Sequence, residues 1–232
     1  MFQFHAIIFD FDGTLAECRI NFDLLKRKVA ALASGFLDSE IVPNNLPVLE
    51  WVEDLAQELQ IYSPDSVLEF KSRVRLLLTA VEIKAAGKGM LFPMTRSILG
   101  SLKKVGIQTG IITRNCTPGV KIIFPDLWEY CQVFLPREDV VRIKPHPEHL
   151  ISAIKMLGVS SSRVLMVGDN KIDIQTANKA KVYSAGLATD ASGRKGLIQA
   201  GANFVARDVE DLVHHLIESH YLPSLDQVGY PP

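Results

Sequence analysis

The sequence predicts an α/β protein: a parallel sheet covered on both faces, with a small helical unit inserted after the first strand. Three observations carry that expectation. A short apolar run, Ala6-Ile7-Ile8, leads directly into the acidic turn Phe9-Asp10-Phe11-Asp12-Gly13-Thr14-Leu15. Residues from about Ile20 to Gly89 carry only helical periodicity, and from Pro93 onward strand and helix patterns alternate.

Taken in order, Ala6 to Phe9 is short and apolar throughout, as expected of a strand buried on both sides. The next segment places Leu24, Leu25, Val29 and Leu32, then Leu49, Val52, Leu55 and Leu59, then Val67, Phe70, Val74, Leu77 and Val81 at steps of three and four. Pro43 and Pro47 bracket one loop, and Ser63-Pro64 predicts the start of the last of these helices, with Ser63 as its N-cap. Beyond Pro93 the predicted strands are Ile107 to Thr113, a short one near Val133, Val164 to Gly168, Val182 to Ala185 and Phe204 to Ala206. Helical stretches between most of them imply a parallel sheet that the first strand joins. The expected domains are therefore 1–16 with 92–232 as the sheet unit and 17–91 as the helical insertion. The Pro-rich end, Leu222 to Pro232, reads as a tail.

Composition excludes several classes of function. At 232 residues the chain is long enough to bury a sizeable core. Its 47% hydrophobic and 22% charged residues are ordinary for a soluble globular protein. A formal net charge of −1 gives no electrostatic case for binding nucleic acid or an anionic membrane. No apolar stretch approaches the ~18 residues of a membrane span, and no basic-then-apolar leader opens the sequence, so a cytoplasmic chain is expected. Cys18, Cys116 and Cys131 are odd in number and widely spaced, which suits reduced thiols rather than a disulfide frame or a zinc site.

The chemistry gathers at strand ends, where open α/β sheets collect ligands. Asp10 and Asp12 point the same way if the strand stays extended, and their repulsion then calls for a shared proton or a hard divalent cation such as Mg²⁺. Gly13 lets the chain turn at once. A calcium loop would need a later Gly and a Glu at its twelfth position, where this chain has Asn21. Thr113 closes the second apolar strand, with Arg114-Asn115 after it and a helix start at Thr117-Pro118. Lys144-Pro145 sets a cation in a rigid, non-helical segment. Val164 to Gly168 ends in Asp169, and Asp173 falls one turn into the next helix on the same side. Alone, Thr113 reads as a strand-end residue and Lys144 as a solvated surface lysine; the pairing of acids at two junctions gives them a common purpose. His146 and His149, beside Glu148 and two prolines, read as surface residues rather than a metal pair.

The series Asp10-x-Asp12-Gly13-Thr14, Thr113, Lys144-Pro145 and Gly168-Asp169-x-x-x-Asp173 resembles the haloacid dehalogenase superfamily, and within it the phosphoglycolate phosphatase-like branch. The resemblance covers nearly the whole sheet unit. It implies a Rossmann-like three-layer core with a helical cap inserted after the first strand, since roughly a hundred residues separate Asp12 from Thr113 and only about thirty separate Thr113 from Lys144. It further implies a Mg²⁺-dependent phosphatase acting on a small phosphorylated metabolite. Asp10 would be the nucleophile that forms an aspartyl-phosphate, and Asp12 the general acid and base. Asp10, the Asp12 backbone carbonyl and Asp169 would hold the metal. Thr113 and Lys144 would bind phosphoryl oxygens, with Arg114 and Asn115 beside Thr113 in the same phosphate-binding group and Asp173 orienting Lys144 or a metal-bound water.

One position departs from the family pattern: many such phosphatases have Asn directly after the motif Thr, where this chain has Arg114 before Asn115. Arg114 either forks onto phosphate or carboxylate or faces solvent. A sugar phosphomutase of the same superfamily and a non-catalytic binding protein on this fold are the alternative functions. Dehalogenating relatives lack an acid at the position of Asp12, which favours phosphoryl transfer. The sequence is silent on oligomeric state.

Overall fold

The computed structural model describes residues 3–225. In chain order these form β1 (Ala6–Phe9), β2 (Ala16–Glu17), α1 (Phe22–Leu37), α2 (Val48–Tyr62), α3 (Val67–Ala86), β3 (Met90–Leu91), α4 (Thr95–Lys104) and β4 (Gln108–Ile112). There follow α5 (Thr117–Ile123), β5 (Val133–Leu135), α6 (Pro147–Leu157), β6 (Val164–Gly168), α7 (Lys171–Ala180), β7 (Tyr183–Leu187), α8 (Ala191–Gln199), β8 (Phe204–Ala206) and α9 (Val209–Glu218).

The main sheet has six strands in the order β5-β4-β1-β6-β7-β8, and every neighbouring pair is parallel. β1 lies in the middle, pairing Ile8 with Gly110 on one side and with Met166 on the other. The chain steps outward from β1 to β4 and β5, then returns to build β6, β7 and β8 on the opposite side. That reversal makes the ends of β1, β4 and β6 the switch point where a crevice opens in sheets of this type.

Both faces of the sheet are covered. Ala6, Ile8, Ile112, Val164 and Met166 form one buried cluster with Leu150, Ala153, Ile154 and Leu157 of α6 and Ala177 of α7. The alternating residues Ile7, Phe9, Ile111, Leu165 and Val167 point the other way and are equally buried. A strand buried on both faces reads as a continuous apolar run, which is why these segments were legible. The strands Gln108–Ile112 and Tyr183–Leu187 are shifted by a residue or two from their expected limits.

Contacts divide the chain into two compact units, one made of residues up to Cys18 and from Gly89 onward, the other of Arg19–Lys88. Within the first unit, β2 and β3 form a two-residue antiparallel ribbon, Ala16 opposite Leu91, that carries no periodicity long enough to read. The second unit is helical with its own core, in which Leu25 and Val29 of α1 meet Val52, Leu55 and Leu59 of α2 and Phe70 and Val74 of α3. Asn21 caps α1 by accepting the Leu24 N–H at 2.8 Å. The start of α3 differs from expectation: Pro64–Ser66 is a 3-10 turn and the α-helix begins at Val67. The Ser63 hydroxyl is spent on Ser66 Oγ at 2.9 Å rather than on a backbone N–H.

Most of the expected C-terminal tail, Leu222 to Pro232, lies outside the described residues; inside them, Leu222 and Leu225 are buried. Two leucines offer enough apolar surface to dock that stretch, and Tyr221 stacks on Phe4 at 5.7 Å.

Phe70 is 1% exposed and meets Phe36 edge-on at 5.5 Å. Phe70→Ala should cost the helical unit about 3–5 kcal/mol. Hydrogen exchange is expected to quicken across Arg19–Lys88 and to stay unchanged in the six-stranded sheet; equal acceleration in both would show a single cooperative core.

Candidate active site

Three strand ends deliver the acidic groups and the adjoining loops deliver their partners. Asp10 follows β1 directly, and its N–H continues the ladder onto Val167 O at 2.8 Å, so its backbone is held as firmly as the strand. The chain then leaves the extended path. Gly13 has φ +82°, and a Cβ built there would lie 2.1 Å from Asp169 Oδ2. Both the angle and the space demand glycine. Asp10 and Asp12 meet different partners.

Asp10 faces Lys144, whose Nζ lies 2.7 Å from Asp10 Oδ1 and donates to Asp173 Oδ1 at 2.6 Å. Lys144 is 1% exposed, far from the surface lysine that its place in the sequence suggests when read alone. Burial works to lower its pKa, but the charges of Asp10 and Asp173 outweigh that and raise it above the ordinary lysine value. The two carboxylates therefore favour the ammonium form.

Asp12 sits in a different environment. Asn115 Nδ2 donates to both of its oxygens at 3.1 Å, and Thr113 Oγ1 lies 3.5 Å from Oδ2. Thr113 is fully buried, its N–H extending the sheet to Leu135 O at 3.1 Å and its Oγ1 accepting the Asn115 N–H at 3.0 Å. Asn115, expected on the substrate, is buried and holds Asp12; its Oδ1 accepts the Cys116 N–H at 2.7 Å. Arg114 is half-buried, and its carbonyl accepts from Arg137 Nη1 at 2.9 Å.

Asp173 is the third residue of α7 and is buried because Gly168 makes room for it; a Cβ on Gly168 would lie 2.2 Å from Asp173 Cγ. Its Oδ2 accepts the Asn170 N–H at 3.2 Å, and Asn170 Oδ1 accepts the Ile172 N–H at 3.1 Å, a reciprocal capping box. Burial raises the Asp173 pKa, against the pull of Lys144.

Asp10, Asp169 and Asp173 bring carboxylate oxygens within 4.8 Å of one another. Asp169 is exposed to solvent, and the protein around it still strips part of its hydration. That partial loss of hydration, then the charges of Asp10 and Asp173, push its pKa up to about 7. The donor set suits a hard divalent cation: all oxygen, and three acids balanced by one lysine. The sequence pointed to Asp10, Asp12 and Asp169 as the metal group; the side-chain cluster contains Asp173 where that expectation had Asp12, whose proposed ligand is a backbone carbonyl.

His149 is a correction. Read from the sequence as a surface residue, it is completely buried in the first turn of α6. Its phase betrays it, since His149 shares a face with Leu150, Ala153, Ile154 and Leu157. His146 stays half-exposed and caps the same helix through Nδ1, which accepts the Glu148 N–H at 3.2 Å.

A family model described as haloacid dehalogenase-like hydrolase matches residues 7–187. The chain belongs to that family. Haloacid dehalogenase-like relatives include the phosphoglycolate phosphatase of Escherichia coli K12, 30% identical over 125 residues, which are 53% of this chain and 50% of that protein. The chain thus spans about half the length of the curated relatives it matches. Among solved structures, a predicted phosphoglycolate phosphatase from Haemophilus somnus superposes with a TM-score of 0.63 at 22% identity, covering 93% of this chain and 99% of the other. A phosphonoacetaldehyde hydrolase-like protein from Oleispira antarctica gives 0.65 at 17% identity, covering 100% and 98%. These likenesses show the haloacid dehalogenase-like fold.

Two stability measurements test this charge arrangement. Lys144→Met leaves Asp10 and Asp173 uncompensated and should cost about 3–5 kcal/mol at pH 7. The deficit should narrow toward acid pH as Asp173 takes up a proton. An unchanged deficit would show that packing, not charge, sets it. For Asp169 the sign follows from a folded pKa of about 7 above an ordinary 3.8. The fold binds the proton more tightly, so this carboxyl favours folding at low pH and loses that contribution as pH rises through 7. In excess chelator, Asp169→Asn should therefore be more stable than the parent at pH 8, on the order of 1 kcal/mol after solvent screening. Urea unfolding should show the gap closing toward pH 4.

Proposed function

We propose that this protein is a Mg²⁺-dependent phosphatase that hydrolyses a small, phosphoglycolate-like phosphomonoester through an aspartyl-phosphate on Asp10. The observation that carries the proposal is the division of labour between two acids two residues apart. Asp10 is fixed at 2.7 Å by a buried ammonium, and Asp12 is held separately by Asn115 and Thr113. Carboxylates in such distinct settings suit distinct roles, one as nucleophile and one as proton carrier. A binding protein would have no use for both.

Lys144 engages Oδ1 of Asp10 and leaves Oδ2 to attack phosphorus. As that P–O bond forms, the bond to the leaving oxygen breaks, and Asp12 supplies the leaving oxygen with a proton. Asp12 then takes a proton from a water that attacks the phosphorus, releasing inorganic phosphate and restoring Asp10. Thr113 Oγ1 and Lys144 Nζ stabilise the charge on the transferred group. Asp173 keeps Lys144 aimed, with an N–H···O separation of 2.6 Å. A bound Mg²⁺, held by Asp10, Asp169 and the Asp12 carbonyl, would supply charge neutralisation between an anionic nucleophile and an anionic substrate.

The helical unit Arg19–Lys88 is proposed as the cap that shapes substrate choice. One of its cations, Arg73, pairs with Glu69 and covers the Phe36 ring, a surface role. A cytoplasmic setting is part of the proposal. Cys18, Cys116 and Cys131 are thiols rather than disulfides, and among the described residues no helix is long and apolar enough to cross a membrane.

The test is release of inorganic phosphate from a panel of small phosphomonoesters, phosphoglycolate included, with Mg²⁺ or with excess chelator. Turnover should require the metal, vanish in Asp10→Asn, and fall ~10²–10⁴-fold in Asp12→Asn. Folded, Mg²⁺-loaded protein that releases no phosphate but interconverts sugar phosphates would favour the mutase; inactivity in both assays would favour a binding protein.

A further inference from the structure

The two side chains proposed to hold phosphoryl oxygens come from separate segments, and a buried imidazole links the Lys144 segment to the β5 carbonyl on which Thr113 also rests. His149 Nδ1 accepts the backbone N–H of Lys144 at 3.2 Å. On the other side of the ring, Nε2 lies 3.0 Å from Leu135 O. The same carbonyl accepts the Thr113 N–H at 3.1 Å, and its two lone pairs accommodate both donors. Only one form of the ring satisfies this pattern: neutral, with its proton on Nε2. Burial, then the neighbouring Lys144 charge, push its pKa down to about 4, so that form persists across the working range.

Lys144 carries its charge on a flexible four-carbon stem. Asp10 and Asp173 clamp the ammonium end. The backbone end lies in a non-helical stretch before α6, and the imidazole holds it there, in register with the end of β4. Both ring nitrogens are thereby satisfied, one by the Lys144 backbone and the other by the β5 carbonyl that also receives the Thr113 N–H.

We infer that His149 is a positioning residue, which fixes the Lys144 backbone against the Thr113 strand end so that Nζ and Oγ1 meet the same phosphoryl group. The inference rests on the phosphatase reading and adds to it a residue that touches neither substrate nor metal.

The test compares wild type with His149→Leu, His149→Asn and His149→Gln at a temperature where thermal unfolding shows all four folded. Two quantities are read: the inhibition constant of inorganic phosphate and kcat/KM on the best panel substrate. His149→Leu fills the space without either bond, and should weaken phosphate binding and lower kcat/KM by about 10²-fold, the scale of a misplaced catalytic group. His149→Asn returns an acceptor near Nδ1 and should recover much of that loss. His149→Gln returns a donor near Nε2 only, and should remain impaired; it also serves as the test variant if His149→Leu does not fold. Phosphate affinity and kcat/KM at wild-type levels in folded His149→Leu, or no recovery in His149→Asn, would overturn the inference while leaving the phosphatase reading intact. Failure of wild type itself to bind phosphate or turn over substrate would instead defeat the phosphatase reading, and the inference with it.

Discussion

The buried ammonium of Lys144 is the interaction on which the site depends. Acids from the ends of β1 and β6 converge at the centre of the sheet, where like charges out of water repel strongly. One cation placed 2.7 Å from Asp10 and 2.6 Å from Asp173 makes that convergence tolerable. It leaves a surplus of negative charge on the side of Asp169. The same arrangement that lets the fold close thus leaves a place for a divalent cation.

The sheet does most of the positioning. Reversal of strand order at β1 puts three strand ends side by side, and parallel pairing carries the backbone of Asp10 and Thr113 one residue beyond the strands proper. Two glycines then set how closely the acids approach. Gly13 lets the first turn pass against Asp169, and Gly168 lets the Asp173 carboxyl tuck against the end of β6. Packing of Ala6, Ile8 and Met166 against α6 and α7 is therefore not separate from the chemistry. It anchors the strand and helix that carry the acids.

Much of this was legible in the sequence because it is local. Apolar runs ending in Asp10, Thr113 and Asp169 read directly as strands with polar ends, and the helical stretch from Ile20 to Gly89 reads by its period. What escaped depends on the tertiary structure. The role of Lys144 comes from the resemblance, whereas its burial between two acids distant in sequence is tertiary. His149 was misread because flanking prolines and Glu148 outweighed the helical phase that puts it inward. Asp10 and Asp12 read as one acidic pair, and only the tertiary structure shows their separate partners, Lys144 for the first and Asn115 for the second. β2 and β3 are two residues each, too short for any pattern. Asn115 donates its amide to Asp12, a pairing across 103 positions that no spacing rule reveals. Family membership fixes the fold, and the specific chemistry rests on these side chains.

The most direct test of the account is whether phosphorus becomes bonded to Asp10. The full chain would be mixed with radiolabelled acetyl phosphate and Mg²⁺, quenched in acid within a turnover, and digested for peptide mapping. Label is expected on the peptide that carries Asp10, removed by hydroxylamine as for any acyl phosphate. Turnover of the donor with no label at Asp10, or with label at another residue, would contradict it.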